Sequence, residues 1–391
     1  MIKKKIFRSN KGLKVLLIPN SFKESISAYN VCVALEKGIE KVYTKARINK
    51  LPLADGGDGT VEAISYFYDA KIIKQKVLGP IEEELEVKFV IIDKGKTAVI
   101  EMALASGLAL VPNNKRNPMK TNTYGVGQLI KTALDYNVSK IIVGLGGSSS
   151  VDGGIGMAQA LGVSFKDKTG NEVGFGGQGL EKISKIDCSN IDKRLKQVEI
   201  ICACDVKNVL TGKEGAAKVY GPQKGANNKM VESLEKALKK YAQIIKRDIG
   251  KDVENIKGAG AAGGLGAGFV AFLNAEINFG FKVISDLINL EKQIKKTDIV
   301  ITGEGKIDKQ SFYGKTVGEV LNLCVKYKKP LICIAGIIEG IDAEIQNNNN
   351  VSFFSTVKTL DDKESIMKNA DKDICDLAEN IFKTIRIGQF S

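Results

Sequence analysis

Short apolar runs of four to six residues, partly β-branched, alternate with amphipathic helical stretches along almost the whole chain. This alternation restricts the fold to α/β layers with mainly parallel sheets. The first unit sets the pattern: KVLLIP at 14–19 reads as a buried strand, after which Val31, Leu35, Ile39 and Val42 mark one face of a helix. Further strands are expected at 48–53, 87–92, 98–102, 141–145, 199–204, 298–302 and 331–335. Helices are expected at 125–136, 153–162, 229–247 and 315–327, the third with Leu234, Leu238, Tyr241 and Ile245 as its apolar stripe. A chain of 391 residues is well beyond the usual ~100–150-residue domain, which argues for two domains. Polar and glycine residues fall at strand ends, at Asn20, Asp55, Gly146, Asp205 and Gly303. In open α/β sheets ligands bind outside the carboxyl ends of the strands, so the chemistry is expected there.

The chain contains no histidine, which excludes Ser-His-Asp and Cys-His catalytic units and histidine-ligated metals. Proton transfer is left to carboxylates, Lys, Tyr, Cys or water. That set suits phosphoryl transfer, where catalysis rests on positioning and on charge stabilisation by Lys, backbone N–H groups and Mg2+. Seven scattered cysteines without a CxxC pair indicate neither a disulfide framework nor a zinc site, and they fit a reducing cytoplasm. Cys202 and Cys204 would face one side of a strand, either packing there or presenting a thiol to substrate. No apolar run reaches the ~18–20 residues of a membrane span, and the amino terminus lacks a signal-type apolar core. The expectation is a soluble cytoplasmic protein with no membrane partner. The net charge of +13 is carried by dispersed lysines, which argues for solvated surface charge and attraction of small anions over a nucleic-acid partner.

Several segments could carry chemistry. IPNSFKESISA at 18–28 follows the first strand, so backbone N–H groups with Ser21, Lys23 and Ser25 are able to converge on an anion; an ordinary loop with Ser27 as helix cap is the alternative. LPLADGGDGT at 51–60 sets Asp55 and Asp58 around two glycines, a pattern suited to Mg2+ binding or proton acceptance, or else to a tight turn with a carboxylate near a helix start. GLGGSSSVDGG at 144–154, with Gly146, Gly147 and Ser148, is a nest fit for phosphate oxygens, although it is neither a Rossmann fingerprint nor a P-loop. CDVKNVLTGKEGAAKVYGPQKGA at 204–226 starts from Asp205 at a strand end and brings Gln223 and Lys224 between turn glycines. In IVITGEGKID at 299–308, Glu304 and Asp308 would share a face and hold one cation if the turn between them were helical; a solvated turn is the other reading. GAGAAGGLGAGF at 258–269 serves close packing or ligand contact. Gly314-Lys315-Thr316 imitates the end of a Walker A motif, but Lys309 stands where the earlier glycine belongs.

Taken in this order, the segments resemble the bacterial glycerate kinase family, whose members carry PDSFKGSLSA, ADGGEGT, GGSATNDGG, CDVxNPLxGxxGAxxxFGPQKGA, GAGAAGGLG and TGEGRIDxQTxxGK. The matches span residues 18 to 318. The resemblance implies ATP-dependent phosphorylation of D-glycerate, generally at the 2-hydroxyl, with Mg2+ as cofactor, small molecules as partners and a monomer or homodimer. It also implies a doubly wound, flavodoxin/Rossmann-like α/β domain built from 1–70 plus 286–391, a second α/β domain inserted at 71–285, and an active site in the cleft between them. Carried over position by position, Lys23 and Lys224 would neutralise phosphate or carboxylate charge while Ser21, Ser25 and Gln223 supply hydrogen bonds. Asp55 or Asp205 would accept the hydroxyl proton, with Asp58, Glu304 and Asp308 on the Mg2+ side. The chain departs from the pattern at Asn20, Glu24, Val151, Val209 and Val317. Of these, Asn20 and Val151 each remove a polar group or charge from an expected site. A kinase for another small hydroxy acid and a catalytically silent glycerate or nucleotide sensor are the competing readings.

Overall fold

The computed structural model describes residues 12–22, 25–53, 56–57, 59–312, 315–358 and 362–388. The chain divides into two compact units, one formed by Met1–Ala54 with Ile284–Ser391 and the other by Asp55–Val283.

In the first unit five strands lie in the spatial order Val351–Ser355, Leu331–Ile338, Ile299–Ile307, Lys14–Pro19, Arg47–Lys50. Every neighbouring pair is parallel, with Leu17 beside Ile301 and Ile301 beside Ile332. Numbered by their sequence within the unit, the strands run 2-1-3-4-5, the flavodoxin-like doubly wound order. Val15, Leu17, Ile301 and Ile334 bury one face of the sheet against Val31, Leu35 and Ile39 of helix Ala28–Glu40 and Ile374, Ala378 and Phe382 of helix Ala370–Ile387. Residues of opposite parity, Leu16, Ile18, Val300 and Cys333, are buried as well, as a parallel sheet covered on both faces requires. Leu290–Lys296 and Thr316–Lys326 pack on the central strands. Ser27 caps its helix, its hydroxyl accepting from Asn30 N–H at 3.3 Å. The strand expected at 48–53 is assigned only over Arg47–Lys50, yet Leu51 N–H and Leu53 N–H still donate to the Leu17 and Pro19 carbonyls (2.8 and 2.9 Å), so Pro52 sits where the edge strand needs no donor.

The second unit holds a six-stranded sheet in the order Glu276–Asn278, Glu199–Ala203, Lys140–Gly144, Thr97–Glu101, Glu84–Ile92, Lys71–Leu78. The first four run parallel and the last two form an antiparallel hairpin edge. This sheet is therefore mixed. The edge strand KIIKQKVL escaped the sequence reading because exposed Lys71, Lys74 and Lys76 interrupt its apolar residues, the composition of a protected sheet edge. Helix Thr60–Phe67 packs on Glu84–Ile92 and Thr97–Glu101. The long helix Asn228–Ile249 buries the whole expected stripe of Leu234, Leu238, Tyr241 and Ile245. Cys202 and Cys204 belong to this core; burial pushes both thiols up, Cys204 to about 11, so they pack and present no reactive thiolate. Among the described residues no helix is long and apolar enough to cross a membrane.

Candidate active site

The densest polar arrangement in the second unit lies where strand Lys140–Gly144 gives way to the glycine-serine turn at 144–154. Backbone meets backbone there: a Cβ on Gly146 would stand 2.5 Å from the Cα of Gly57, and Gly146 N–H donates to the Gly56 carbonyl at 3.3 Å. On another side Gly263, at φ +70°, abuts the Ser150 carbonyl so closely that any side chain would collide, and its own carbonyl accepts from Gly153 N–H at 3.1 Å. The run 258–269 thus serves close packing, as one of its two readings held. Tyr241 buttresses the turn from the long helix, its hydroxyl donating to the Gly153 carbonyl at 3.2 Å.

Beneath the turn Ser106, Thr121, Asn122, Thr123, Ser149, Ser150 and Asp152 are each at most 1% exposed. Buried polar groups persist only when hydrogen-bonded, and most of these are. Ser149 Oγ donates to the Ser106 carbonyl (2.9 Å), Ser106 Oγ to the Asn122 carbonyl (2.6 Å) and Thr121 Oγ1 to the Ser149 carbonyl (2.9 Å). Asp152 organises the centre. Its Oδ2 accepts from Thr123 N–H (3.0 Å), Thr123 Oγ1 (2.7 Å) and Gly156 N–H (3.4 Å), and its Oδ1 from Gly154 N–H (3.1 Å). Burial pushes its carboxyl above the usual range and these donors pull it back. Sequence reading passed over Asp152. Val151 beside it is fully buried in the hydrophobic core.

Lys224 reaches this network from the turn Pro222–Lys224. Its Nζ donates to Ser148 Oγ at 2.7 Å and to the Ser150 carbonyl at 2.6 Å. Burial lowers its pKa from 10.5 to about 7, with the Asp152 charge opposing the shift. A lysine whose folded pKa lies below its unfolded value costs stability while it is forced to be charged, and the cost fades as pH rises from the folded to the unfolded value. Folding stability should therefore gain about 2 kcal/mol from this group between pH 7 and pH 9. Urea titrations of the protein and of Lys224→Met at both pH values check this: the intact protein should gain that amount relative to the variant, and an unchanged difference would refute it.

The other expected site residues fall into separate groups. In the second unit, Asp205 follows strand Glu199–Ala203, and its Oδ1 accepts from Gly280 N–H (2.9 Å) and Phe281 N–H (3.4 Å) at the start of helix Gly280–Leu287. Gln223 is exposed on the Lys224 turn. Glu101, which sequence reading missed, ends its strand 4% exposed; its two oxygens accept from Gly59 N–H (3.0 Å) and Val61 N–H (3.1 Å), fixing the start of helix Thr60–Phe67. An acid closing an apolar strand was its only signal. Lys23, Asp55 and Asp58 lie outside the described residues.

In the first unit, Asn20 N–H donates to the Gly303 carbonyl (2.8 Å), and Asn20 Oδ1 accepts from Ser21 N–H (2.7 Å). Ser25 Oγ donates to the Met367 carbonyl at 2.8 Å, tying the loop to helix Lys363–Lys368. The Glu304 and Asp308 expectation needs correction. The strand runs on through Ile307, so the segment between them is extended, and four residues of extended chain set them roughly 13 Å apart. Asp308 instead closes the turn Lys309–Phe312, its Oδ1 accepting from Gln310 N–H at 2.9 Å. Among the described residues no three Cys, Asp or Glu side chains are grouped to hold a metal ion.

With this geometry in view, comparison with known proteins is direct. The model of the glycerate kinase family matches residues 15–386. A protein named glycerate 2-kinase from Escherichia coli K12 is 43% identical over 376 residues, 96% of this chain and 99% of that one. A glycerate kinase from Halalkalibacterium halodurans is 44% identical, covering 94% of this chain and 97% of its own. A crystal structure assigned to a glycerate kinase 2 of Salmonella typhimurium LT2 superposes with a TM-score of 0.85 at 43% identity, over 97% of this chain and 100% of that one.

Proposed function

The chain belongs to the glycerate kinase family, and on that premise we propose that it transfers the γ-phosphoryl group of ATP to the 2-hydroxyl of D-glycerate, giving 2-phosphoglycerate and ADP. The observation that carries the reading is the near full-length identity with a glycerate 2-kinase. A glycine-serine turn set over a buried lysine supports it, being suited to stabilising phosphate or carboxylate charge. The two units are the two domains of this enzyme, which works in the cytoplasm on small molecules as a monomer or homodimer.

Gly146, Gly147 and Ser148 present the turn to an anionic group, with Lys224 supplying positive charge beneath it. Independently of that turn, we propose a charge-neutralising role for Lys23 and hydrogen bonds to substrate for Ser21, Ser25 and Gln223. We assign proton acceptance to a carboxylate, since the chain has no histidine and Lys224 Nζ is engaged with Ser148 Oγ and the Ser150 carbonyl. We assign this role to Asp55 rather than Asp205, because Asp205 Oδ1 already accepts two backbone N–H groups. Mg2+, where it acts in kinases, travels with the nucleotide on one or two carboxylates and several waters. The described residues do not fit a dedicated metal cage, the extended run between Glu304 and Asp308 keeps them too far apart to share one ion, and no step here depends on the ion.

The reaction itself is the test. Purified protein with ATP, Mg2+ and D-glycerate should release ADP only when glycerate is present, and phosphorus NMR should resolve 2-phosphoglycerate as product. The 3-phosphoglycerate isomer would overturn the regiochemistry. Absence of glycerate-dependent ADP from folded protein would overturn the kinase reading.

A further inference from the structure

We propose that Lys224 is a positioning residue that does not itself meet the reactants: it locks Ser148 as a one-way hydrogen-bond donor toward an anionic oxygen of the substrates. The inference rests on the kinase reading and deepens it.

The direction of the hydrogen bonds carries the argument. An ammonium group has three donors and no lone pair, so Lys224 Nζ can only donate to Ser148 Oγ, at 2.7 Å, and to the Ser150 carbonyl, at 2.6 Å. Ser148 therefore uses a lone pair on the lysine and keeps its own O–H. Among the described residues no acceptor receives that proton. The neighbouring hydroxyls are differently engaged: Ser149 Oγ donates to the Ser106 carbonyl, and Ser150 Oγ is fully buried without a hydrogen-bond partner among the described residues. Lys224 is 2% exposed against 7% for Ser148, so the serine is the more exposed residue of the pair. A charged donor polarises the hydroxyl it feeds and strengthens the bond that hydroxyl makes in turn.

The pair is also reversible. Lys224 has its pKa lowered to about 7 by burial, and Asp152 is the charged group acting on it. Once deprotonated, the amine gains a lone pair and is able to accept the Ser148 proton, which withdraws the donor from the ligand. Anion binding should weaken as pH rises through about 7.

Calorimetric titrations with ATP alone and with D-glycerate alone, at pH 6 and pH 8.5, test the pair in the intact protein, Ser148→Ala, Lys224→Met and the double variant. One ligand should lose about tenfold in affinity between the two pH values in the intact protein, and that ligand identifies the anion as phosphate or carboxylate. Each single variant should bind it about tenfold or more weakly at pH 6, as loss of a charge-assisted hydrogen bond does, with little pH dependence left. The double variant should be no worse than either single one, since both remove the same interaction. The ligand's own ionisation is common to all four proteins and cancels. The proposal is overturned if Ser148→Ala keeps the full pH dependence, if the two losses multiply, or if neither ligand responds. Circular dichroism excludes misfolding as the cause of weak binding. Turnover of D-glycerate by the intact protein alongside any of those outcomes would sink this inference alone, whereas lack of turnover would sink the kinase reading.

Discussion

Asp55→Asn is expected to lower kcat by about 10²–10⁴ with the fold retained, the range that loss of a general base produces. The chain offers no imidazole, and the acceptor proposed for the glycerate hydroxyl proton is a carboxylate. Asp55 and Asp205 are the two proposed acceptors. One oxygen of Asp205 is committed to the first N–H groups of helix Gly280–Leu287, the work of a helix cap. Asp205→Asn keeps an amide oxygen able to accept the same two N–H groups, so it should change stability little and leave most of kcat. Steady-state kinetics on both variants separates the roles. Full activity in Asp55→Asn with collapse in Asp205→Asn would reverse the assignment.

The second large effect is on stability. Asp152→Ala removes the acceptor of four hydrogen bonds in a fully buried site. Each donor left unpaired costs about 1–3 kcal/mol. Relaxation and water entry recover part of that, so a destabilisation of about 3–5 kcal/mol is expected. Asp152→Asn should lie between the two proteins, because one amide oxygen can still take the three bonds made by Oδ2 while the amide nitrogen confronts Gly154 N–H. Calorimetric unfolding of the three proteins gives the order directly. An Asp152→Ala protein as stable as the parent would mean that the network beneath the turn is not what holds it.

Much of the scaffold could be read from the chain alone, because each unit of it is local. Strand Lys14–Pro19 coincides with its expected bounds, and helix Asn228–Ile249 lies within two residues of the expected one at each end. A period of 2 or 3.6 in apolar residues is written in neighbours along the sequence. The hairpin edge Lys71–Leu78 was not legible, since pairing with Glu84–Ile92 makes it a strand and its own lysines do not announce one.

The amino-acid order by itself determined the α/β layering, the places where strands end in glycine and polar turns, and the family of the chain, because each is carried by residue types at short spacing. Only the tertiary structure decided what the charged groups do. Lys224 lies 76 residues from Ser148, Asp152 lies 29 from Thr123, and Glu101 lies 42 and 40 from Gly59 and Val61. A carboxylate or an ammonium group takes its role from whichever donors, acceptors and depth of burial the fold brings to it, and those partners come from chain segments that local spacing does not connect.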